Sequence, residues 1–378
     1  MYKDGLAPED VCINQEVYLG VPGLFADIRV QTQGYSPYFV EVKYGYPDSM
    51  LLTQLARKYG GDIPGTQDAS KVILVINIED YNNWSQLEKE LHSCIRTSLE
   101  LEIWNEKHLL SLIHESFDLD IHAISENNII ELRASIDRAK GRYAFGDEWV
   151  NDSLQSSLIW DLGFWRIRQL REQYKLDARS IMSPGLYKGV VVLLADICAF
   201  SSYVRDTHDD EIVRNCLTTF YSNARYEILN TGGLLYQFVG DEVSGLFGIP
   251  DHPPGYRQAA LACAKALVDL GNSVSNKWQR QIDRVQSARG VHIGIAMGDI
   301  QLVSLRPFER AHLGAVSDSM NMAARLVSNA GPSEVVVSNT YYQELDEKSQ
   351  ADFEELETVD ARNVGQIKAW KLRVESGH

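Results

Sequence analysis

Residues 189–196 read GVVVLLAD and residues 234–241 read LLYQFVGD, two hydrophobic runs that each end in an aspartate. The first has no polar residue before Asp196, the pattern of a strand buried on both faces. The second passes through Gly240, Asp241 and Glu242 into VSGLFG, which predicts a strand, a tight Gly-Asp turn and a returning strand. With that hairpin beside the first strand, Asp196 and Asp241 converge at one sheet edge. Hard divalent cations need paired oxygen ligands of this kind. Taken singly, each aspartate also fits a common structural role, Asp196 as a helix N-cap and Asp241 as a turn former.

The 378-residue chain is long enough for two domains, each with its own core. Hydrophobic residues make up 44% and charged residues 23%, as in ordinary soluble globular proteins. A net charge of -16 disfavours broad attraction to nucleic acid or anionic membrane. No apolar stretch approaches the roughly 20 residues that span a bilayer. MYKDGLAPED at 1–10 lacks the apolar centre of a signal peptide. The five cysteines (Cys12, Cys94, Cys198, Cys216 and Cys263) are scattered, with no C-x-x-C pair. They fit reduced thiols better than disulfides or structural zinc. The expectation is a cytoplasmic protein without stable membrane association.

Residues 1–125 alternate strand and helix signals. FADIRV, YFVEVKY, KVILVINI and LELEIW read as strands, MLLTQLARKY and the segment from Glu106 as helices. This predicts a smaller α/β domain. Residues 126–184 read as a helical connector, with helical patterns at 127–142 and 148–174 and repeated aromatics at Trp149, Trp160, Phe164 and Trp165. It packs either on a second subunit or on its own core. MSPG at 182–185 marks a break. From 185 to 378 the pattern is strand, helix, hairpin, helix at 256–278, a hairpin in VHIGIAMGDIQLV, helix at 318–330, VVVS and a C-terminal strand pair. Helices inserted among mostly antiparallel strands give an α+β domain related to the ferredoxin-like arrangement.

LLADICAFSSYV, YQFVGDEVSGLFG, HIGIAMGD and SDSMNMAARL stand in that order along this half of the chain. Together they resemble the class III nucleotide cyclases, the adenylate and guanylate cyclase superfamily. The resemblance implies cyclisation of a nucleoside triphosphate by attack of its 3′-hydroxyl on the α-phosphorus, with loss of pyrophosphate. It implies two divalent ions, Mn²⁺ or Mg²⁺, held by Asp196, Asp241 and the main-chain carbonyl of Ile197. It implies that the loop at Phe200 and Ser201 holds the terminal phosphates through its amides. Asn321 would orient the ribose, and Arg325, one helical turn on, would stabilise charge on the α-phosphate. ARNVGQIKAWKL near the C-terminus resembles the segment that meets the terminal phosphates, which places Arg362 there. The active unit would be a homodimer, with the aspartates of one chain facing Asn321 and Arg325 of the other.

Adenine-selecting members carry a lysine three residues before the Gly-Asp turn, where this chain has Gln237. Their second base reader falls on Gly314. Guanine readers are acidic at the first position. Gln237 can donate and accept, so it could pair with a uracil or a cytosine edge. This code, joined to an N-terminal α/β domain, resembles the bacterial pyrimidine cyclases of antiphage signalling. It implies UTP as preferred substrate and cyclic UMP as product, with CTP and ATP as alternatives.

In the N-terminal domain, FADI at 25–28 and FVEVK at 39–43 resemble the D…E-x-K pattern of restriction-endonuclease-like domains. Asp27 and Glu41 would hold a metal and Lys43 would assist a water. Glu41 and Lys43, two apart on a strand, share a face. Gln54 and Tyr59 nearly repeat a Q-x-x-x-Y feature but stand one residue too far apart. The alternatives are a metal-dependent nuclease, a nuclease fold kept as a sensor of nucleic acid or a phage component, and plain alternating charges on a half-exposed strand.

Overall fold

The computed structural model describes residues 11–21, 24–43, 46–117, 126–305, 312–361 and 365–374. The chain forms two compact units, Met1–Tyr143 and Ala144–His378. The segment read as a connector is divided between them, because helix 126–145 lies mostly in the first unit and the later helices lie in the second.

The first unit is a five-stranded sheet in the order β1 (Val11–Tyr18), β2 (Phe25–Thr32), β3 (Tyr38–Lys43), β4 (Lys71–Ile76), β5 (Glu100–Trp104). The first three strands are antiparallel, and β3, β4 and β5 run parallel. Parallel neighbours need crossovers, and helices α1 (Asp48–Tyr59) and α2 (Trp84–Cys94) supply them. Leu51, Leu55 and Tyr59 of α1 pack with Leu87 and Leu91 of α2 over Phe39, Val72 and Leu74. Helix α3 (Glu106–Phe117) follows β5, and α4 (Glu126–Phe145) leads out of the unit.

In the second unit, α5 (Ser153–Leu162), α6 (Phe164–Tyr174) and α7 (Ala178–Ile181) precede the sheet. The single helical pattern expected at 148–174 is therefore two helices. Gly163, at φ 81, adopts a backbone that no other residue type takes easily, and it breaks the run. The sheet has the order β12 (Glu354–Ala361), β13 (Gly365–Arg373), β11 (Glu334–Ser338), β9 (Val291–Leu305), β6 (Gly185–Ile197), β8 (Glu242–Phe247), β7 (Leu234–Val239), and β10 (His312–Val316) pairs with β9. β11 runs parallel to β9, and the other pairs are antiparallel. The helices between strands are α8 (Phe200–Asp206), α9 (Asp210–Asn230), α10 (Tyr256–Gln281), α11 (Asp318–Val327), α12 (Asn339–Gln343) and α13 (Glu347–Gln350).

Strand β6 is buried on both faces. Val191, Leu193 and Ala195 enter one core, under Phe220, Ala224 and Ile228 of α9 and Ala264, Leu267 and Trp278 of α10. Val190, Val192 and Leu194 enter the other, with Leu158, Ile167 and Ile181 of α5–α7 and Ala323 and Leu326 of α11. This is the α+β arrangement expected from the sequence, with helices inserted among mostly antiparallel strands.

One expected hairpin is absent. VHIGIAMGDIQLV lies within a single strand, β9, which pairs with β6 along its length. Gly298 makes no turn here. A Cβ on it would stand 3.0 Å from Ser319 Oγ, so the missing side chain lets α11 approach. Asp299 Oδ1 accepts a hydrogen bond from the Gly189 amide (3.1 Å), at a bulge in β6 where Gly189 sits at φ 62. The hairpin is instead made by β9 and β10. The five cysteines are free thiols. Among the described residues no helix is long and apolar enough to cross a membrane.

Candidate active site

Asp196 stands near the end of β6, on the same face as Val192 and Leu194. Its cross-strand neighbours are Glu242 on β8 and His292 on β9. Asp241 lies in the β7–β8 turn, which Gly240 permits at φ 63. The structure brings the two aspartates close enough for each carboxyl to shift the other's proton affinity. Burial and the adjacent carboxylate of Asp196 push the Asp241 carboxyl up to about 7. Burial opposes the charge of Asp196 as well, but hydrogen bonds from His292 and Asp241 hold its carboxyl below the usual range. Two carboxyls are thus gathered at one point, one with its proton affinity raised and the other with it lowered.

His292 is a member of this site that the sequence reading did not single out. Its Nε2 lies 3.0 Å from Asp196 Oδ2 and its Nδ1 lies 3.2 Å from the Ala330 carbonyl. The hydrogen bond to Asp196 raises the imidazole's proton affinity against the opposing effect of burial. Tyr221 of α9 is a second such residue. Its hydroxyl donates to the Gly240 carbonyl and its ring packs on Phe238 at 4.4 Å, so it props the turn that carries Asp241.

Asn321 and Arg325 share one side of α11, opposite the buried Ala323 and Leu326. Asn321 is exposed. The helix lies close on the sheet, because a Cβ at Gly294 would stand 2.3 Å from the Ala323 carbonyl oxygen. Phe200 and Ser201 open α8, after Ala199 in the left-handed region at φ 56 and with no side-chain cap.

Gln237 follows a bulge in β7 and pairs with Ser244, whose hydroxyl donates to the Gln237 carbonyl (3.1 Å). Gly314 is buried on β10 opposite Val303. The bulge residue Tyr236 links the two strands, since its hydroxyl accepts the Ala315 amide at 2.9 Å. Arg362 lies outside the described residues.

Asp27, Glu41 and Lys43 cluster in the first unit, with Lys43 Nζ 2.7 Å from Asp27 and 2.6 Å from Glu41. A cavity of about 400 Å³ in the second unit is lined by Lys188, Gly189, His252 and Tyr256. It lies near the start of β6, roughly 25 Å along the strand from Asp196 at ~3.3 Å per residue, and is no part of this site.

Among the described residues no three His, Cys, Asp or Glu side chains form a cage for a metal ion. Two adjacent carboxylates with main-chain and substrate oxygens are nevertheless a donor set that suits hard divalent cations, which keep part of their water or phosphate coordination. The residues present fit such ions.

The family profile described as "Adenylate and Guanylate cyclase catalytic domain" matches residues 182–374. The chain belongs to this family. The uncharacterized protein MT1361 of Mycobacterium tuberculosis (strain CDC 1551 / Oshkosh) is 26% identical over 184 residues, 48% of this chain and 31% of its own length. The uncharacterized protein Rv1319c of Mycobacterium tuberculosis (strain ATCC 25618 / H37Rv) is 26% identical over 180 residues, 47% of this chain and 31% of its own length. The chain thus spans about a third of the length of these curated relatives. Among solved structures, the guanylyl cyclase Cya2 is similar at 19% identity and a TM-score of 0.45, over 52% of this chain and 98% of that one. The adenylyl cyclase CyaB from P. aeruginosa is similar at 17% identity and a TM-score of 0.45, over 50% and 95%.

Proposed function

We propose that the second unit cyclises a nucleoside triphosphate as a homodimer, converting UTP to cyclic 3′,5′-UMP and pyrophosphate, with CTP and ATP as competing substrates. The observation that carries this reading is the convergence of Asp196, at the end of β6, and Asp241, in the adjacent β7–β8 turn, inside a domain of the cyclase family. Asp196, Asp241 and the Ile197 carbonyl would hold two Mn²⁺ or Mg²⁺ ions, which would supply Lewis-acid activation of the 3′-hydroxyl and neutralisation of phosphate charge. His292 keeps Asp196 oriented. Asn321 positions the ribose, Arg325 meets charge growing on the α-phosphate, and the amides at Phe200 and Ser201 receive the terminal phosphates with Arg362. Gln237 reads the base edge.

The exposed side of α11 supports the dimer. Asn321 faces outward, where a second chain can present its own aspartates. Residues 1–125 regulate and 126–184 connect. A truncated chain beginning near Trp149 keeps activity when concentrated. The broader setting, a cytoplasmic messenger synthase in bacterial antiphage defence, rests on the resemblance of the base code.

The test offers each of the four NTPs separately with Mn²⁺ and identifies products by mass spectrometry. Asp241→Ala abolishes the product while leaving the fold intact. Near-normal turnover of that variant at saturating Mn²⁺ overturns the site assignment.

A further inference from the structure

In the first unit the D…E-x-K side chains meet two further residues that the motif did not include. Glu41 is fully buried, and both of its oxygens are taken. Oε1 accepts from the Tyr59 hydroxyl (2.6 Å) and from Lys58 Nζ (3.0 Å). Oε2 accepts from Lys58 (2.7 Å) and Lys43 (2.6 Å). Asp27 Oδ2 accepts from Lys43 and from the Val42 amide, each at 2.7 Å. Lys58 Nζ also stands 4.0 Å from Asp27 Oδ1, so its ammonium lies between the two carboxylates.

A metal ion does not fit here. The place from which it would bridge Asp27 and Glu41 is held by a lysine, and a second ammonium stands beside it. A divalent cation would meet repulsion from both and would have to strip Glu41 of partners already in place. Burial acts to lower Lys43, but Glu41 and Asp27 outweigh it and keep the ammonium charged.

The cluster opens on a cavity of about 280 Å³ lined by Asp27, Lys43, Tyr46, Gln54, Arg57 and Lys58. Gln54, Arg57 and Lys58 are spaced i, i+3, i+4 and so present one face of α1 to it. Among the described residues, neither Gln54 nor Arg57 is committed to a hydrogen bond or ion pair. Both carboxylates are matched by lysines, so among the described residues the uncommitted charge at the cavity is the Arg57 guanidinium. A guanidinium fork suits two oxygens of a phosphate, with the Gln54 amide as a further donor. A buried ionic cluster adds little stability over apolar packing, so its position beside an open cavity points to a ligand.

We propose that this cavity is a metal-independent binding site for a phosphate group, with Arg57 and Gln54 as its contacts and Lys58 as the built-in cation that displaces metal. The site does not depend on the cyclase reading, because its residues all lie in the other unit.

The test uses the full chain in EDTA. Inorganic phosphate and a nucleoside 5′-monophosphate are titrated by calorimetry. Oligonucleotides with a 5′-phosphate or a 5′-hydroxyl are compared by fluorescence anisotropy. These arms distinguish a free anion, a mononucleotide and a nucleic-acid end. At least one phosphate-bearing probe binds, the 5′-hydroxyl oligonucleotide does not, and Arg57→Ala weakens binding by about tenfold or more, as loss of a charge-assisted bidentate contact does. Arg57 is exposed, so this variant folds even if Lys58→Met does not. The proposal is overturned if no probe binds, if binding survives Arg57→Ala, or if binding requires Mn²⁺. Plasmid cleavage in Mn²⁺ that is lost in Asp27→Asn also overturns it.

Discussion

His292 Nε2 lies 3.0 Å from Asp196 Oδ2 on the neighbouring strand, while its Nδ1 lies 3.2 Å from the Ala330 carbonyl. A carbonyl only accepts, so Nδ1 donates to Ala330, and Nε2 donates to Asp196 when the ring is protonated, a state that the neighbouring carboxylate favours. The imidazole holds Asp196 Oδ2 from one side. Residues that orient a metal ligand commonly contribute about 10–100-fold in metal affinity or activity. His292→Ala is therefore expected to raise the Mn²⁺ concentration needed for half-maximal activity by about that factor. Activity measured against Mn²⁺ concentration checks this, and an unchanged or lower requirement refutes it.

The same groups give the metal-free protein a pH dependence. Asp241 titrates near 7 when folded and near 3.9 in an unfolded chain. Between about pH 4 and 7 the folded state thus binds the extra proton, and stability falls as pH rises through this window. His292, raised above its ordinary value, adds stability that is present at low pH and lost as pH rises through its folded pKa. Asp196 acts oppositely. Its lowered pKa contributes stability above the ordinary carboxylate range that is lost only in stronger acid. In EDTA, melting temperatures should fall from pH 5 to pH 8, and Asp241→Asn should flatten that trend. Equal slopes for the two proteins would count against a raised Asp241 carboxyl.

Gly294 and α11 make a steric prediction. An added Cβ would meet the Ala323 carbonyl oxygen at 2.3 Å and the Val327 nitrogen at 2.6 Å, both backbone atoms that cannot swing aside. Gly294→Ala should cost about 1–3 kcal/mol or more, the usual penalty of overpacking. It should also reduce cyclisation in the fraction that folds, because α11 carries Asn321 and Arg325. Urea unfolding and turnover of the variant test both parts.

Some of this architecture was legible in the sequence for physical reasons. An aspartate that ends an apolar strand run, and another beside a turn glycine, leave their mark on local pattern, so Asp196 and Asp241 could be read directly. His292 could not, because it gains its role only through register with Asp196, 96 positions away. The Gly298-Asp299 dipeptide looked like a turn because such pairs favour turns. Here the glycine admits a helix and the aspartate caps a bulge on the next strand. Tyr59 stands out as part of a near-motif, whereas nothing in the local pattern singles out Lys58 beside it. Only the packing of α1 against β3 buries it on Glu41.

Exposed Asn321 and half-buried Arg325, one turn apart on α11, lead to a mixing prediction. Asp196→Ala and Arg325→Ala should each be inactive alone. In a heterodimer one of the two composite sites contains both native halves, so mixing should restore activity. Confirmed heterodimers with no recovery would mean that each chain holds a complete site.

Base selection is the sharpest test of the substrate proposal. Gln237 replaces the lysine of adenine readers, and the buried Gly314 provides no second polar reader. Tyr236 ties β7 to β10 beside that glycine, through the Ala315 amide. Gln237 can donate to one atom of a base edge and accept from another, as a uracil or cytosine edge requires. A site built on such bonds penalises the wrong base, because buried polar groups are left unpaired. UTP should therefore turn over much faster than ATP or GTP, with CTP the closest rival. Gln237→Ala should lower kcat/KM for the preferred base by about 1–3 kcal/mol of transition-state binding. Its effect on the disfavoured purines should be smaller. Purified protein in Mn²⁺ that makes cyclic AMP or cyclic GMP as fast as any pyrimidine product would end the pyrimidine reading, while leaving the metal site and the dimer to be judged by their own variants.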